Sequence, residues 1–434
     1  MFKGLGERLK QAARERRRLS AMGKAFHTVR RRQEENEVKI RGLEERKTRL
    51  RRVREESLGH EGLLKLALEN MAASGVTIRR ANTREEALAY LVEEIGDEKL
   101  IVKSKSNATK EIGLTEHLEA RGVEVVETDI GDRIVQLAGE KPCHPTGPAA
   151  HLDRYDIAAV LSAHLGREVA PDPDLLTRLF KEDVSEKIEQ AKIGITGANA
   201  ITAEEGGLLF IHNEGNLLRV MMRPKKHIVV ATIDKVYPNL DEAINMARLV
   251  TFYATGAIAS SFINIVTGPS KTADIEKRIL RGGHGPEEVV LILLDNGRSQ
   301  VAQGDFRELL YCIGCGKCLV ECPAYAVYGP HFGHVPHMAG RGLLYTSQAQ
   351  DLETAKEGGL YQCLTCGHCT KHCPVGIDVP ALMRKLRALH PERIPEPHLD
   401  LACWFAESHL KYLFTAARLE VLSLIAAVFP KVKP

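Results

Sequence analysis

Eight of the ten cysteines fall into two copies of one pattern. Cys312-x2-Cys315-x2-Cys318-x3-Cys322-Pro323 is followed by Cys363-x2-Cys366-x2-Cys369-x3-Cys373-Pro374. Thiolates are soft ligands, and this rhythm is the bacterial run for [4Fe–4S] clusters. Three cysteines spaced by two wrap a tight loop around three corners of a cube. The fourth, where the chain enters a helix, ligates the other cube in two-cluster proteins. That assigns Cys312, Cys315, Cys318 and Cys373 to one cluster, and Cys363, Cys366, Cys369 and Cys322 to a second. Gly314, Gly316 and Gly367 lie between ligands, where the missing Cβ lets backbone N–H groups approach sulfur. A zinc site would stop at four ligands, and no CxxCH occurs for covalent haem. Clustered thiols in a long chain with no apolar leader segment read as metal-binding rather than disulfide-forming. Cys143 and Cys403 are left over and read as buried thiols.

The chain that positions these cysteines has 434 residues, enough for two or three domains. Its net charge of +3 and low aromatic content of 5% argue against a nucleic-acid surface. Cubane clusters and free thiols fit a reducing cytoplasm. Four regions are expected: a basic helical arm (1–59), an α/β domain (60–300), an α-rich ferredoxin-type dicluster domain (301–390) and a helical tail (391–434). The arm carries an excess of about ten positive charges. It reads either as a solvated helix laced with i,i+4 ion pairs or as a docking arm for an acidic partner or anionic membrane face. In the tail, Val421–Phe429 is too short to span a bilayer. It reads as a packed helix or, alternatively, a peripheral amphipathic anchor.

Between residues 61 and 296, strands and helices alternate, which implies a mostly parallel sheet. Strands are expected at 99–103, 123–127, 156–161, 193–196, 207–212, 227–233 and 289–294. Helices are expected at 84–94, 109–121, 174–190 and 240–255. Ligands in such domains bind at the polar loops after the strands. Ser104, Ser106 and Thr109 open a helix and offer hydroxyls to a carboxylate or phosphate, or else simply cap it. Asn199, Glu204 and Gly206, with Asn213 and Asn216, form a second polar loop pair that equally suits a turn between strands. Thr267-Gly268-Pro269-Ser270 is a third such loop. No dinucleotide or Walker fingerprint is present. His331, His334 and His337 lie between the cysteine runs, where Gly333 and Pro336 break their spacing. Surface or hydrogen-bonding roles are expected for them rather than a metal site.

The segments SKSNATKEIG (104–113), GVEVVETD (122–129), GITGAN (194–199) and NEGN (213–216) resemble the LUD domain of lactate-utilisation proteins. So do Gly268-Pro269, Gly285-Pro286-Glu287-Glu288 and Asp295-Asn296-Gly297-Arg298-Ser299. A LUD domain followed by a dicluster domain is the layout of the lactate-utilisation protein B family. One family position, Ala-Glu-Thr-Gly, reads Ala203-Glu204-Glu205-Gly206 here. The resemblance implies a NagB/RpiA/CoA-transferase-like α/β sandwich and an iron–sulfur subunit of a complex oxidising lactate, or a similar 2-hydroxy acid, to the 2-oxo acid. A [4Fe–4S] cluster handles single electrons, so a flavin or other two-electron centre is expected on a partner subunit. Two further readings stand beside electron transfer: a LUD domain that itself binds or converts a small acid or acyl compound, and a structural or assembly subunit.

Overall fold

A computed structural model describes residue 12 and residues 14–390. The tail expected at 391–434, with Cys403, lies outside the described residues, as does most of the chain before residue 14.

Two helices open the described chain: α1 (Arg16–Glu37) and α2 (Leu43–Ser57). Helix α3 (Glu61–Ala73) leads into the α/β domain. Its six-stranded sheet is parallel throughout, in the order β1-β12-β7-β4-β2-β3. These strands are β1 (Val76–Ala81), β2 (Leu100–Lys103), β3 (Glu124–Glu127), β4 (Ile193–Gly197), β7 (Lys226–Thr232) and β12 (Glu288–Leu294). Both faces are covered, so the central strands are apolar along their whole length. One face packs Leu91, Ile101, Ile195 and Ile292, and the other packs Met71, Phe210, Val229 and Leu291. A second sheet, ordered β8-β5-β6-β9, is built from β5 (Ala200–Thr202), β6 (Gly207–His212), β8 (Val236–Tyr237) and β9 (Phe262–Val266). A short ladder joins β10 (Lys271–Thr272) to β11 (Leu280–Arg281).

The helices between strands start where side chains satisfy the free N–H groups of a first turn. Thr83 caps α4 (Arg84–Ile95) and Ser106 caps α5 (Asn107–Glu111). The helix expected over 109–121 is broken into α5 and α6 (Leu114–Glu119). Gly113 sits between them at φ 64°, in the left-handed region that ends a helix. Helix α7 (Ile130–Ala138) follows β3. The strand expected at 156–161 is instead part of α8 (Arg154–Leu165). Asp153 and Asp156 form a reciprocal capping box there, and only Ala158 and Leu161 are buried, at i,i+3 spacing. A short apolar run with such a cap is helix, not strand. Asp172 and Pro173 start α9 (Pro173–Gln190), α10 (Asn216–Met222) follows β6, and Asn239 caps α11 (Leu240–Thr255).

One face of each N-terminal helix packs inward while the other is exposed. Met22, Phe26, Leu50 and Val53 are buried in one core with α11 and the cysteine-bearing domain. Gln33 Nε2 donates to the carbonyls of Phe252 and Tyr253, at 3.2 and 2.8 Å, in the last turn of α11. The arginines pair mostly across the molecule rather than along their own helix. Arg18 meets Glu140, Arg49 meets Glu242 and Arg51 meets Glu308. Arg54, fully buried, donates to the carbonyls of Asp234 and Leu310. Part of the charge excess that suggested a solvated or partner-seeking arm is engaged in intramolecular contacts with both domains.

After β12, the chain enters the cysteine region through a 3-10 turn at Arg307–Tyr311. The stretch between the cysteine runs holds a short helix at Pro323–Tyr328 and then α12 (Ala339–Ala349) and α13 (Leu352–Glu357), and α14 (Val379–Leu389) closes the domain. Among the described residues no helix is long and apolar enough to cross a membrane.

Candidate metal centre and adjoining cavity

The two cysteine loops have the same backbone plan. Gly314, Gly316 and Gly367 adopt φ of 75°, 74° and 80°, which bends each loop around a small body. Thr365 takes the position matching Gly314 and is held at φ 50°. All eight cysteines are free thiols. Cys322 lies with the second run: it lines a cleft with Cys318, Cys363, Cys366 and Cys369. Its thiol is pushed up to about 12, by burial first and then by the neighbouring charges of Cys363, Cys369 and Cys366. Cys315 and Cys318 are pushed up by burial and by like charges that include Cys312 and Cys373. Each fourth cysteine is therefore brought to the run opposite in sequence.

These donors suit an iron–sulfur core. Thiols crowded into apolar surroundings resist ionising one by one, and a cationic centre removes that penalty. Backbone N–H groups of Gly314 and Tyr325 already point at Cys312 and Cys322 Sγ, each at 3.4 Å. Among the described residues no three His, Cys, Asp or Glu side chains converge as a single ion requires. The two loops differ in setting. Cys315 is buried, whereas Cys366 and Leu364 are exposed. Gly340 of α12 packs against Cys363, where a Cβ would stand 3.0 Å from the sulfur.

The first loop is docked on the α/β domain. His144 Nδ1 accepts from the Thr146 N–H at 3.2 Å, so Nε2 carries the proton and donates to the Gly316 carbonyl, also at 3.2 Å. Burial holds the ring neutral, its pKa pushed down to about 4. At Gly316 a Cβ would lie 2.4 Å from this ring, so only glycine permits the contact. Tyr325 donates to the Cys143 carbonyl, and Cys143 is a buried thiol pushed up to about 12 by burial.

Between this loop and the parallel sheet lies a cavity of about 380 Å³. It sits at the carboxyl ends of β2, β4 and β7, beside the point where strand order reverses, the usual ligand crevice of such sheets. Cys312 and Cys318 form part of one wall. Of the ligand-contact residues expected from sequence, Ser104, Ser106, Asn199, Asn213 and Asn216 line it. Thr109 does not; it is buried behind them, its N–H bonded to Ser106 Oγ at 3.3 Å and its hydroxyl to the Ser106 carbonyl. Glu204 and Gly206 do not line it either. They form the β5–β6 turn, where Gly206, at φ 58°, packs its backbone on Asn70 and Met71. Glu204 is exposed there, its backbone N–H bonded to the Pro238 carbonyl. The alternative of an ordinary turn is what the structure contains.

Behind the cavity runs a buried charge network. Arg298 grips Glu111 with two bonds of 2.8 and 2.6 Å and reaches Asp234 Oδ1 through Nε at 2.9 Å. Burial pushes the Glu111 carboxyl up, but Arg298 and His337 outweigh it and hold the group well below the usual carboxylate range. His337 Nε2 lies 3.2 Å from Glu111 Oε2. His331 and His334 bond to Glu15 and to the Thr354 carbonyl, so all three histidines serve as hydrogen-bonding groups, as expected. Lys235 and Arg341 also line the cavity. Sequence reasoning missed both. For Lys235 the available signal was a cation in the turn that follows the apolar strand β7, at the crevice end of a parallel sheet; Arg341, inside α12, gave none.

Comparison with known proteins gives two family matches: a LUD domain over residues 64–294 and a 4Fe-4S dicluster domain over 308–377. The chain is 33% identical over 334 residues to the "Uncharacterized electron transport protein YkgF" of Escherichia coli (strain K12). It is 35% identical over 327 residues to "Lactate utilization protein B" of Bacillus thuringiensis (strain Al Hakam). Each alignment covers 75% of this chain and 67% of the relative. A DUF162-family crystal structure from Deinococcus radiodurans aligns to 54% of this chain and 97% of its own, at 11% identity and a TM-score of 0.30.

Proposed function

The chain belongs to the LUD-domain family and carries a 4Fe-4S dicluster domain, and from that premise we propose that it is the iron–sulfur electron-transfer subunit of a multi-subunit complex. The reaction served is oxidation of lactate, or a similar 2-hydroxy acid, to the 2-oxo acid. Oxidation at that carbon releases two electrons and two protons. A bound [4Fe–4S] cluster supplies one-electron uptake and release, so the two-electron step requires a flavin or equivalent centre on a partner subunit.

One observation carries this reading: the two cysteine sets have opposite settings. Cys312 and Cys318 of the first set line the interior cavity and Cys315 is buried, whereas in the second set Cys366 is exposed beside exposed Leu364. This chain's residues thus supply an inner and an outer station, with the exposed loop as the contact for a redox partner. The Gln33, Arg51 and Arg54 contacts hold the domains in one register, which keeps the inner station against the cavity.

Anaerobically purified protein is expected to carry iron and sulfide for two cubes and to be reduced when mixed with its redox partners and lactate. Zinc in place of iron, or iron short of a single cube, overturns the proposal. The cavity also favours a second reading, in which the LUD domain itself receives the small acid.

A further inference from the structure

We propose that His144, in the α/β domain, is a positioning residue that raises the reduction potential of the cluster held by the first cysteine run, acting through the Gly316–Lys317 peptide. The inference rests on the cluster ligands assigned above and not on the identity of the acid oxidised.

One peptide unit is gripped from both sides. It is trans, so its C=O and N–H point in opposite directions. On one side, His144 Nε2 donates to the Gly316 carbonyl at 3.2 Å. On the other, the Lys317 N–H is directed to the Cys315 sulfur. Burial and the neighbouring Cys312 push that thiol up, and the bond from Lys317 pulls it down. A donor on the carbonyl draws electron density out of the amide and makes its N–H the stronger donor in turn. A stronger N–H bond favours the more negative, reduced cluster, and hydrogen bonds to sulfur are one of the levers on potential.

The surroundings of His144 fix it for this role. Thr146 presents both its N–H and its hydroxyl to Nδ1, at 3.2 and 3.0 Å, which leaves the proton on Nε2. Phe26 meets the imidazole edge-on, with ring centroids 5.3 Å apart. Behind the ring, the Cys143 N–H closes the loop on the Pro148 carbonyl at 2.9 Å. His144 is 4% exposed, so water does not compete for the bond.

Folding of the loop does not require the contact. The Gly316 carbonyl already accepts from the Leu319 and Val320 N–H groups, at 3.0 and 3.4 Å, as the short helix Lys317–Val320 begins. The second cysteine loop makes the same turn: Gly367 adopts φ 80° and ψ −4°, against 74° and 0° at Gly316. Yet nothing stands within 4 Å of the point where a Cβ on Gly367 would lie, whereas at Gly316 that point is 2.4 Å from the His144 ring. The histidine is thus a difference between two otherwise matching loops, reaching only the inner one.

The test uses the full chain with its clusters loaded under anaerobic conditions, in redox titrations followed by EPR. Cys312→Ser and Cys363→Ser identify which signal belongs to which run. His144→Leu keeps the bulk and removes the donor. At a fixed ambient potential, its oxidised-to-reduced ratio for the first-run cluster should rise roughly threefold, a potential lower by about 28 mV at 59 mV per tenfold. The other cluster should not move. His144→Gln, whose amide donates to the same carbonyl, should recover most of the shift. The inference is overturned if iron-replete His144→Leu leaves the first potential unchanged, if both potentials move together, or if His144→Gln shifts as far as His144→Leu. Should His144→Leu lose iron from the first run, His144→Phe, a ring without a donor, takes its place; loss in both makes the contact structural and overturns the inference as well. Wild-type protein that carries no iron defeats the cluster assignment instead, so the two failures are distinguishable.

Discussion

Arg298→Met removes the cation that holds two buried carboxylates, and the consequence can be worked out from the geometry. Arg298 and Glu111 side chains are 7% and 2% exposed, and Asp234 is 9% exposed. Water cannot take over the lost interactions. Glu111 must then either stay charged in an apolar setting or enter the fold with a proton. From an ordinary carboxyl value near 4.5, protonation at pH 7 costs about 3.4 kcal/mol, and at pH 5 about 0.7 kcal/mol. Asp234 keeps Arg54 at 3.7 Å and adds a smaller loss. The total expected at pH 7 is about 3–5 kcal/mol, the range for removing one partner of a buried ion pair. At pH 5 most of the Glu111 share should disappear. The assay is anaerobic guanidinium denaturation of wild type, Arg298→Met, Glu111→Gln and the double variant at both pH values. The double variant should recover at least about 2 kcal/mol relative to additivity. A loss under about 1 kcal/mol at pH 7, or one that is the same at pH 5, would refute the reasoning.

Cys373→Ser should damage the cluster held by Cys312, Cys315 and Cys318, and Cys322→Ser the one held by Cys363, Cys366 and Cys369; EPR in which each change touches only its own run's cluster contradicts the exchange. His227 is wholly buried, with Thr196 Oγ1 2.8 Å from its Nε2, and burial pushes its pKa down to about 3. Its contribution is full above the unfolded value near 6.5 and is lost as pH falls toward 3, about 2 kcal/mol by pH 5; in His227→Asn the denaturation midpoint should fall less between pH 7 and 5. Glu204→Gln should change stability by less than about 0.5 kcal/mol and leave lactate or pyruvate binding unaltered. Gly206→Val should destabilise by about 2 kcal/mol or more, because its Cβ would stand 2.6 Å from the Asn70 backbone at a positive φ; unchanged thermal unfolding would show that the turn can yield.

The cysteine spacing by itself pointed to the proposed cluster ligands, because a cubane demands sulfurs at short, fixed intervals along the chain. The apolar runs at 193–196, 207–212, 227–233 and 289–294 identified strands, because a strand covered on both faces has no polar side to hide. Local signals failed where the outcome was not local. Residues 156–161 are apolar enough for either structure, and the Asp153 cap decided for helix. The basic N-terminus has the composition of a free arm, but its arginines find carboxylates and carbonyls more than a hundred residues away. Glu204 looked like a site residue because turns and ligand loops use the same residue types. Only the tertiary structure joined Ser104, Lys235, Arg341 and Tyr345 around one cavity. They come from four separate segments in two domains, and the unpaired Ser104 and Tyr345 hydroxyls are a property of a packed interior rather than of a sequence.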